Sequence, residues 1–312
     1  MNNSSNEINM VSIKLEDRQI CNQTQITESE WVTKEIEFKN IKYLNKEDHS
    51  HKFYTFPKYY DMAFSRDVDS DIKFFENCFH QYSDFNVKRV LEPACGTGIF
   101  LENLPRYGYS ALGYDLSKDM VAYSKERLKN AGINQENAEV VLGDMKNLEF
   151  DSKFDAAFIC INSLGYLNRE EDINSHFNAM GNSIKKGGIY IIEISCKCED
   201  LANEKKPDDI WYVKEDGIEL EIGWVIKRYD MDKRIRHVEF RMVVNDNNKH
   251  IIVEEAHELR LWLFDEFKKF ANNGGFKIVG IYNQKYEQIS ENTPINGELG
   301  GLFFILKNIK CN

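Results

Sequence analysis

The chain has 312 residues and a formal net charge of −11, with 42% hydrophobic and 29% charged side chains. That length supports a full core, as one large domain with an insertion or as two domains, in a composition typical of soluble globular proteins. The acidic balance argues against a general nucleic-acid binder, which needs basic surface, and no apolar run reaches the length of a membrane span. The polar start MNNSSNEINM lacks a signal-peptide core. Seven cysteines at low density read as scattered buried thiols of a cytoplasmic protein. Cys196 and Cys198 have the wrong spacing for a zinc or thioredoxin-like pair, and ligation by them with a histidine is the lesser alternative to no metal at all.

Residues 1–40 are polar and aperiodic, as in a flexible extension. From Phe53 to Tyr60 the chain turns aromatic (Phe53, Tyr54, Phe56, Tyr59, Tyr60), and Pro57 bars a regular helix interior. Helical spacing over 69–82 gathers Ile72, Phe75, Cys78, Phe79 and Tyr82 on one face, to cover a core or to form a lid.

Val87, Val90 and Leu91 then read as a buried parallel strand ending at Glu92. After it, Pro93-Ala94-Cys95-Gly96-Thr97-Gly98 leads into Phe100, Leu101 and Leu104 at helical spacing. Such a turn lets backbone approach a ligand, beside free N–H groups at a helix start. A turn that serves packing alone has the same look, and the dinucleotide fingerprint would need glycine where Leu101 stands. A second strand, Ala111–Asp115, ends on an acid 17 residues after Gly98, and Val140-Val141-Leu142 leads to Asp144. Acids at three strand ends line one sheet edge, placed to accept ribose hydroxyls and an adenine amino group.

With these residues the chain resembles the class I S-adenosylmethionine-dependent methyltransferases, from about Tyr59 to the C-terminus. Their first motif is an acid followed by a Gly-rich turn that often ends Cys-Gly-Thr-Gly, as here; Ala94 stands where glycine is frequent. The resemblance implies an α/β fold, a Rossmann-like and mostly parallel seven-stranded sheet flanked by helices, with S-adenosyl-L-methionine as cofactor. It implies that Ala94, Cys95, Gly96 and Gly98 lie under the methionine part, with Glu92 near its amino group. Asp115 takes the ribose hydroxyls, with Leu116 and Met120 beside it. Asp144 meets the adenine amino group and the Met145 backbone meets the ring. Cys160 and Asn162 complete the cofactor set. The plainer reading of each acid is an N-cap or a solvated loop residue.

Residues 87–194 alternate strands with helices, which implies parallel strands joined by right-handed crossovers. Ser117 is an N-cap candidate for a helix carrying Met120, Val121, Tyr123 and Leu128. The apolar run 156–161 predicts a central strand that ends in Asn162-Ser163-Leu164-Gly165-Tyr166, where open α/β sheets bind ligands. A helix over 170–184 and a strand over 189–194 follow, joined through Lys186-Gly187-Gly188. Residues 199–209 read as a charged linker with Pro207. Period-two alternation over 218–229, 235–244 and 250–262 predicts an antiparallel meander. A helix over 264–271, strands over 276–282 and 302–306, and a glycine-bearing loop over 294–301 close the chain. The domain division is therefore 1–40 flexible, 41–84 an N-terminal cap, 85–198 with 263–312 the cofactor domain, and 199–262 a β insertion over the acceptor.

The meander, the Asn-Ser-x-Gly-Tyr-Leu run and the Gly-Gly loop narrow the resemblance to amino-sugar N-methyltransferases acting on nucleotide-linked sugars, and more distantly to glycine and sarcosine methyltransferases. The expectation is methyl transfer to a small-molecule acceptor, an amine nitrogen in preference to oxygen, without nucleic acid or membrane and with a homodimer left open. The alternatives are an O-methyltransferase, a protein or RNA methyltransferase, and a non-catalytic cofactor-binding scaffold. His257 is the candidate general base, against the plainer reading of a surface or core histidine. Tyr60 and Tyr166 are candidates to orient the acceptor, and Trp211, Trp224 and Trp262 to line its pocket or fill the core.

Overall fold

Strands that are apolar on both faces demand cover on both, and this requirement shapes the central sheet. The computed structural model describes residues 52–310, apart from 65, 149, 151, 197–208, 248, 291 and 296–298. The predicted extension, most of the predicted linker and Cys198 lie outside these residues. The chain enters through a 3-10 turn (Lys52–Thr55), α1 (Pro57–Phe64) and α2 (Asp69–Tyr82). It continues as β1 (Arg89–Pro93), α3 (Ile99–Asn103), β2 (Ser110–Asp115), α4 (Lys118–Asn130), β3 (Ala138–Leu142), β4 (Phe154–Ile159), α5 (Glu170–Ser183) and β5 (Ile184–Ser195). The meander β6 (Asp209–Glu215), β7 (Ile218–Asp230), β8 (Ile235–Asp246) and β9 (Lys249–Arg260) precedes α6 (Phe264–Asn273), β10 (Phe276–Tyr282) and β11 (Gly301–Asn308).

The main sheet has seven strands in the order β10-β11-β5-β4-β1-β2-β3, parallel except for β11, which runs antiparallel to both neighbours. This is the Rossmann-like arrangement expected from the sequence. The strand order reverses between β1 and β4, and open sheets of this kind bind ligands beyond the strand ends at that point. Alternation along β5 sends Ile189 and Ile191 to one core, with Phe75, Phe100 and Leu128 of α2, α3 and α4. Tyr190, Ile192 and Ile194 go to the other core, with Phe177 of α5 and Phe267 of α6.

The second sheet is an antiparallel meander, β6-β7-β8-β9. Sequence periodicity identifies three of its strands. The fourth, β6, is short and adjoins a charged stretch with Pro207, so its alternation is masked by its neighbours. Pro57 also reads differently in the fold. It occupies the first position of α1, where its missing N–H costs nothing, so it starts a helix instead of barring one. The central strand stops at Ile159, two residues early, because Ile161 and Asn162 both adopt φ of 54°. Helix α2 is core cover and no lid: Phe75 stacks on Phe158 at 4.8 Å between centroids.

The strap of residues 52–64 joins the two sheets. Phe53, Tyr59 and Ala63 bury against Leu220, Ile222, Phe240 and Met242 of the meander, with Phe53 and Phe240 rings 4.2 Å apart. Trp211 Nε1 donates to the Ala63 carbonyl (3.1 Å) and Tyr59 to Asp246 (3.0 Å). On the other side Asp61 accepts from Thr97 Oγ1 (2.8 Å), Tyr123 (3.2 Å) and Arg127. Among the described residues no helix is long and apolar enough to cross a membrane.

Candidate active site

The turn after β1 is set by backbone conformations that side chains disfavour. Ala94, Gly96 and Gly98 have φ of 52°, 54° and 75°. Two of the three are glycine, and the methyl of Ala94 carries a strain of about 1–2 kcal/mol. Asp115 closes the turn: its carboxylate accepts the N–H of Gly96 at 2.9 Å and of Ser117 at 2.8 Å. Burial pushes the Asp115 carboxyl up, and those backbone donors pull it back. Ser117 caps α4 by accepting the Met120 N–H, and Met120 itself is buried. A Cβ at Gly96 would meet only Tyr60 Cε1, at 3.8 Å. Tyr60 therefore lies over the turn at Gly96. Cys95 is buried beneath it.

Two buried groups of opposite charge face this region unsatisfied. Glu92 is 6% exposed and its Oε2 has no hydrogen-bond partner. Arg66 binds Asp71 through Nε at 3.2 Å, while its Nη2 is buried without a partner. Desolvation holds the Glu92 carboxyl well above its usual range, with Asp115 adding to the shift and Arg66 opposing it. An α-amino acid supplies what both groups lack, an ammonium for Glu92 and a carboxylate for Arg66. Sequence reasoning missed Arg66, which belongs to no motif and is drawn in by the buried Asp71 of α2.

The Glu92 shift has a testable sign. An acid with a raised folded pKa binds more protons folded than unfolded, so its stability contribution is full below about 4.5 and declines as pH rises towards the folded value. Glu92→Gln removes that decline. In thermal unfolding without ligand, the variant gains little at pH 4.5 and clearly at pH 8, by about 2–4 °C per kcal/mol relieved. Its affinity for S-adenosylhomocysteine falls about 10- to 100-fold in calorimetry, the value of one charge-assisted hydrogen bond.

Beyond β2, β3 and β4 lie Leu116, Leu142 and Ile161, which are 54%, 51% and 42% exposed. These are three of the five large apolar side chains exposed among the described residues, and each lies at or just past the end of a strand of the main sheet. Asp144 Oδ1 accepts the Lys146 N–H (2.9 Å), and the Met145 carbonyl lies 2.7 Å from His176 Nδ1. Burial lowers the His176 pKa to about 4, so this histidine is a neutral structural support. The left-handed Ile161 and Asn162 are held by Glu193, whose carboxylate accepts the Ile161 N–H at 3.0 Å and whose carbonyl accepts that of Asn162 at 3.2 Å. Strained non-glycine backbone of this kind persists where a site needs it. Cys160, just before them, is buried.

On the meander side, a chain of close polar contacts runs inwards from the strap. The Tyr54 and Tyr166 hydroxyls are 2.7 Å apart, Tyr166 Oη is 3.0 Å from His257 Nδ1, and His257 Nε2 is 3.0 Å from Glu255 Oε1. His257 and Glu255 are 0% and 1% exposed. The structure thus brings Tyr166 and His257 together, with Tyr60 one ring away from Tyr54 (5.7 Å). Trp224 packs on His257 at 4.8 Å. Trp262 is no pocket wall: it is fully buried against Phe267 on the α5–α6 face.

Residues 90–188 match a family model described as a methyltransferase domain. The chain carries a methyltransferase domain. A methyltransferase-named protein of Geobacillus sp. (strain WCH70) is 25% identical over 234 residues, covering 73% of this chain and 90% of that protein. The dTDP-3-amino-3,4,6-trideoxy-alpha-D-glucopyranose N,N-dimethyltransferase of Streptomyces venezuelae is 30% identical over 104 residues, 33% of this methyltransferase and 41% of that one. The crystal structure of an S-adenosylmethionine-dependent methyltransferase from Clostridium acetobutylicum ATCC 824 shares the fold, with a TM-score of 0.63, 22% identity, and coverage of 82% of this methyltransferase and 99% of that chain.

Proposed function

We propose that this methyltransferase acts on an amine nitrogen of a small molecule, an amino sugar or an amino-acid-like acceptor. The observation that carries the reading is the buried chain Tyr54–Tyr166–His257, which ends in an imidazole backed by Glu255. A neutral imidazole takes the proton of an ammonium far more readily than that of a sugar hydroxyl. The partial likeness to an amino-sugar N,N-dimethyltransferase supports it. The roof of strap and meander favours a small acceptor over a folded polymer. The units are a cap over 41–84, a cofactor domain over 85–198 and 263–312, and the acceptor roof over 199–262.

Bound S-adenosylmethionine supplies a methyl carbon on a cationic sulfur, open to in-line displacement by a nitrogen lone pair. Glu92 and Arg66 hold the methionine ammonium and carboxylate above the Ala94–Gly98 turn. Asp115 takes the ribose hydroxyls on lone pairs that Gly96 and Ser117 leave open. Leu116 and Leu142 offer apolar surface to the adenine, whose amino group goes to Asp144 and whose ring meets the Met145 backbone. Cys160 and Asn162 wall the far end. Tyr60 excludes water above Gly96, and the Tyr54 and Tyr166 hydroxyls orient the acceptor.

Incubation with labelled S-adenosylmethionine and a panel of nucleotide-linked amino sugars, small amino acids, phenols and hydroxy sugars tests the reading. Label on nitrogen is expected. Label confined to oxygen overturns the nitrogen assignment, and tight S-adenosylhomocysteine binding without transfer to any acceptor points to a scaffold.

A further inference from the structure

Glu255 is a buried carboxylate in an unusual setting. It shares a face of β9 with His257, because residues two apart on a strand point the same way, and Val253 and Leu259 bury on that face beside them. Its other neighbours come from the far end of the sequence. Oε2 accepts the Lys52 N–H at 2.8 Å and Oε1 the Phe53 N–H at 3.4 Å, while Oε1 is also 3.0 Å from His257 Nε2. One carboxylate therefore touches the entrance of the strap and the imidazole. Around the pair stand Tyr166 from the 3-10 turn (Ser163–Tyr166), Arg236 of β8, whose charge acts on Tyr166, and the rings of Trp224 and Phe240, 4.8 and 5.8 Å from His257.

We propose that Glu255 is a positioning residue that makes proton removal from the acceptor conditional on closure of the strap. The proposal rests on the amine reading of the site. With Nε2 facing the carboxylate, His257 holds its proton there and presents the Nδ1 lone pair to the Tyr166 hydroxyl, as the third member of a catalytic triad does for its histidine. An N–H bond of the acceptor ammonium breaks as Tyr54 takes that proton and passes its own to Tyr166. Tyr166 in turn passes its proton to Nδ1. Both hydroxyls are restored, the amine lone pair is freed for the methyl carbon, and the imidazolium formed is balanced by Glu255. Lifting the strap, which also uncovers the space above Gly96, removes both backbone donors from Glu255. The carboxylate then no longer holds the imidazole in this tautomer, and the base is assembled only over a closed site.

Three measurements on the full chain test this, with Glu255→Gln keeping the acceptor oxygen for Lys52 and removing the charge. Its kcat is expected to fall about 100-fold. Its S-adenosylhomocysteine affinity stays within about twofold. A kcat within about threefold of the parent overturns the proposal, as does a loss that tracks cofactor affinity. Nitrogen-15 spectra of histidine-labelled protein with S-adenosylhomocysteine are expected to show His257 as the neutral Nε2–H tautomer in the parent and a mixture in Glu255→Gln; identical spectra reject the positioning role. This readout needs no acceptor, so it separates a failure here from a failure of the amine assignment. Amide exchange at Lys52 and Phe53 is expected to be faster in Glu255→Ala than in the parent, and equal rates sever the link to the strap.

Discussion

Asp115→Ala weakens S-adenosylhomocysteine binding at least about 100-fold in calorimetry and lowers the melting temperature of the ligand-free protein. Both effects come from one carboxylate. Its two oxygens hold the N–H groups of Gly96 and Ser117, at the glycine turn and at the start of α4. Hydrogen bonds to a charged group contribute about 1.5–3 kcal/mol each, and part of that loss is offset because Asp115 raises the Glu92 carboxyl. The net destabilisation is about 2–4 kcal/mol, and the ribose contacts proposed for this side chain disappear with it. Asp115→Asn keeps one acceptor and falls between the parent and alanine in both measurements. Parent-like binding by the alanine variant removes Asp115 from the cofactor site.

Gly98→Ala has the largest expected structural effect. Gly98 has φ of 75°, and an added Cβ falls inside contact distance of Ser124 Oγ and 3.0 Å from Ser124 Cβ. The left-handed backbone costs about 1–2 kcal/mol for alanine and the overlap with α4 about 1–3 more, so chemical denaturation shows a loss of about 2–5 kcal/mol. Ser124 is fully buried and its hydroxyl has no partner. Ser124→Ala is therefore harmless alone and relieves the overlap with Oγ in the double variant, leaving the backbone part and the tight contact at Cβ. A single substitution that unfolds at the parent's denaturant concentration refutes the close approach of turn and helix.

The cofactor edge is legible in the sequence because its signals are local. The first strand-end acid, Glu92, is followed closely by Ala94, Gly96 and Gly98, and the second, Asp115, closely by the N-cap Ser117, and the fold keeps each set together. The acceptor side is different. Tyr166 and His257 meet across 91 positions and Glu255 finds its backbone donors 202 and 203 positions away, so no window along the chain contains the group. His257 looks like an ordinary residue of an alternating strand until β9 is folded against the turn that carries Tyr166. Arg66 has no sequence signature either, since its role follows from burial beside Asp71 and from the bare oxygen of Glu92. Pro57 shows a local rule applied one position too far in, as proline disfavours a helix interior and favours a first turn.

The ties at Asp61 have a consequence for traffic. Residues 52–64 are fastened to Thr97, Tyr123 and Arg127 on one flank and to Trp211 and Asp246 on the other. Any displacement of this bridge therefore breaks contacts to both sheets at once, so passage beneath it is tied to the cohesion of the whole fold.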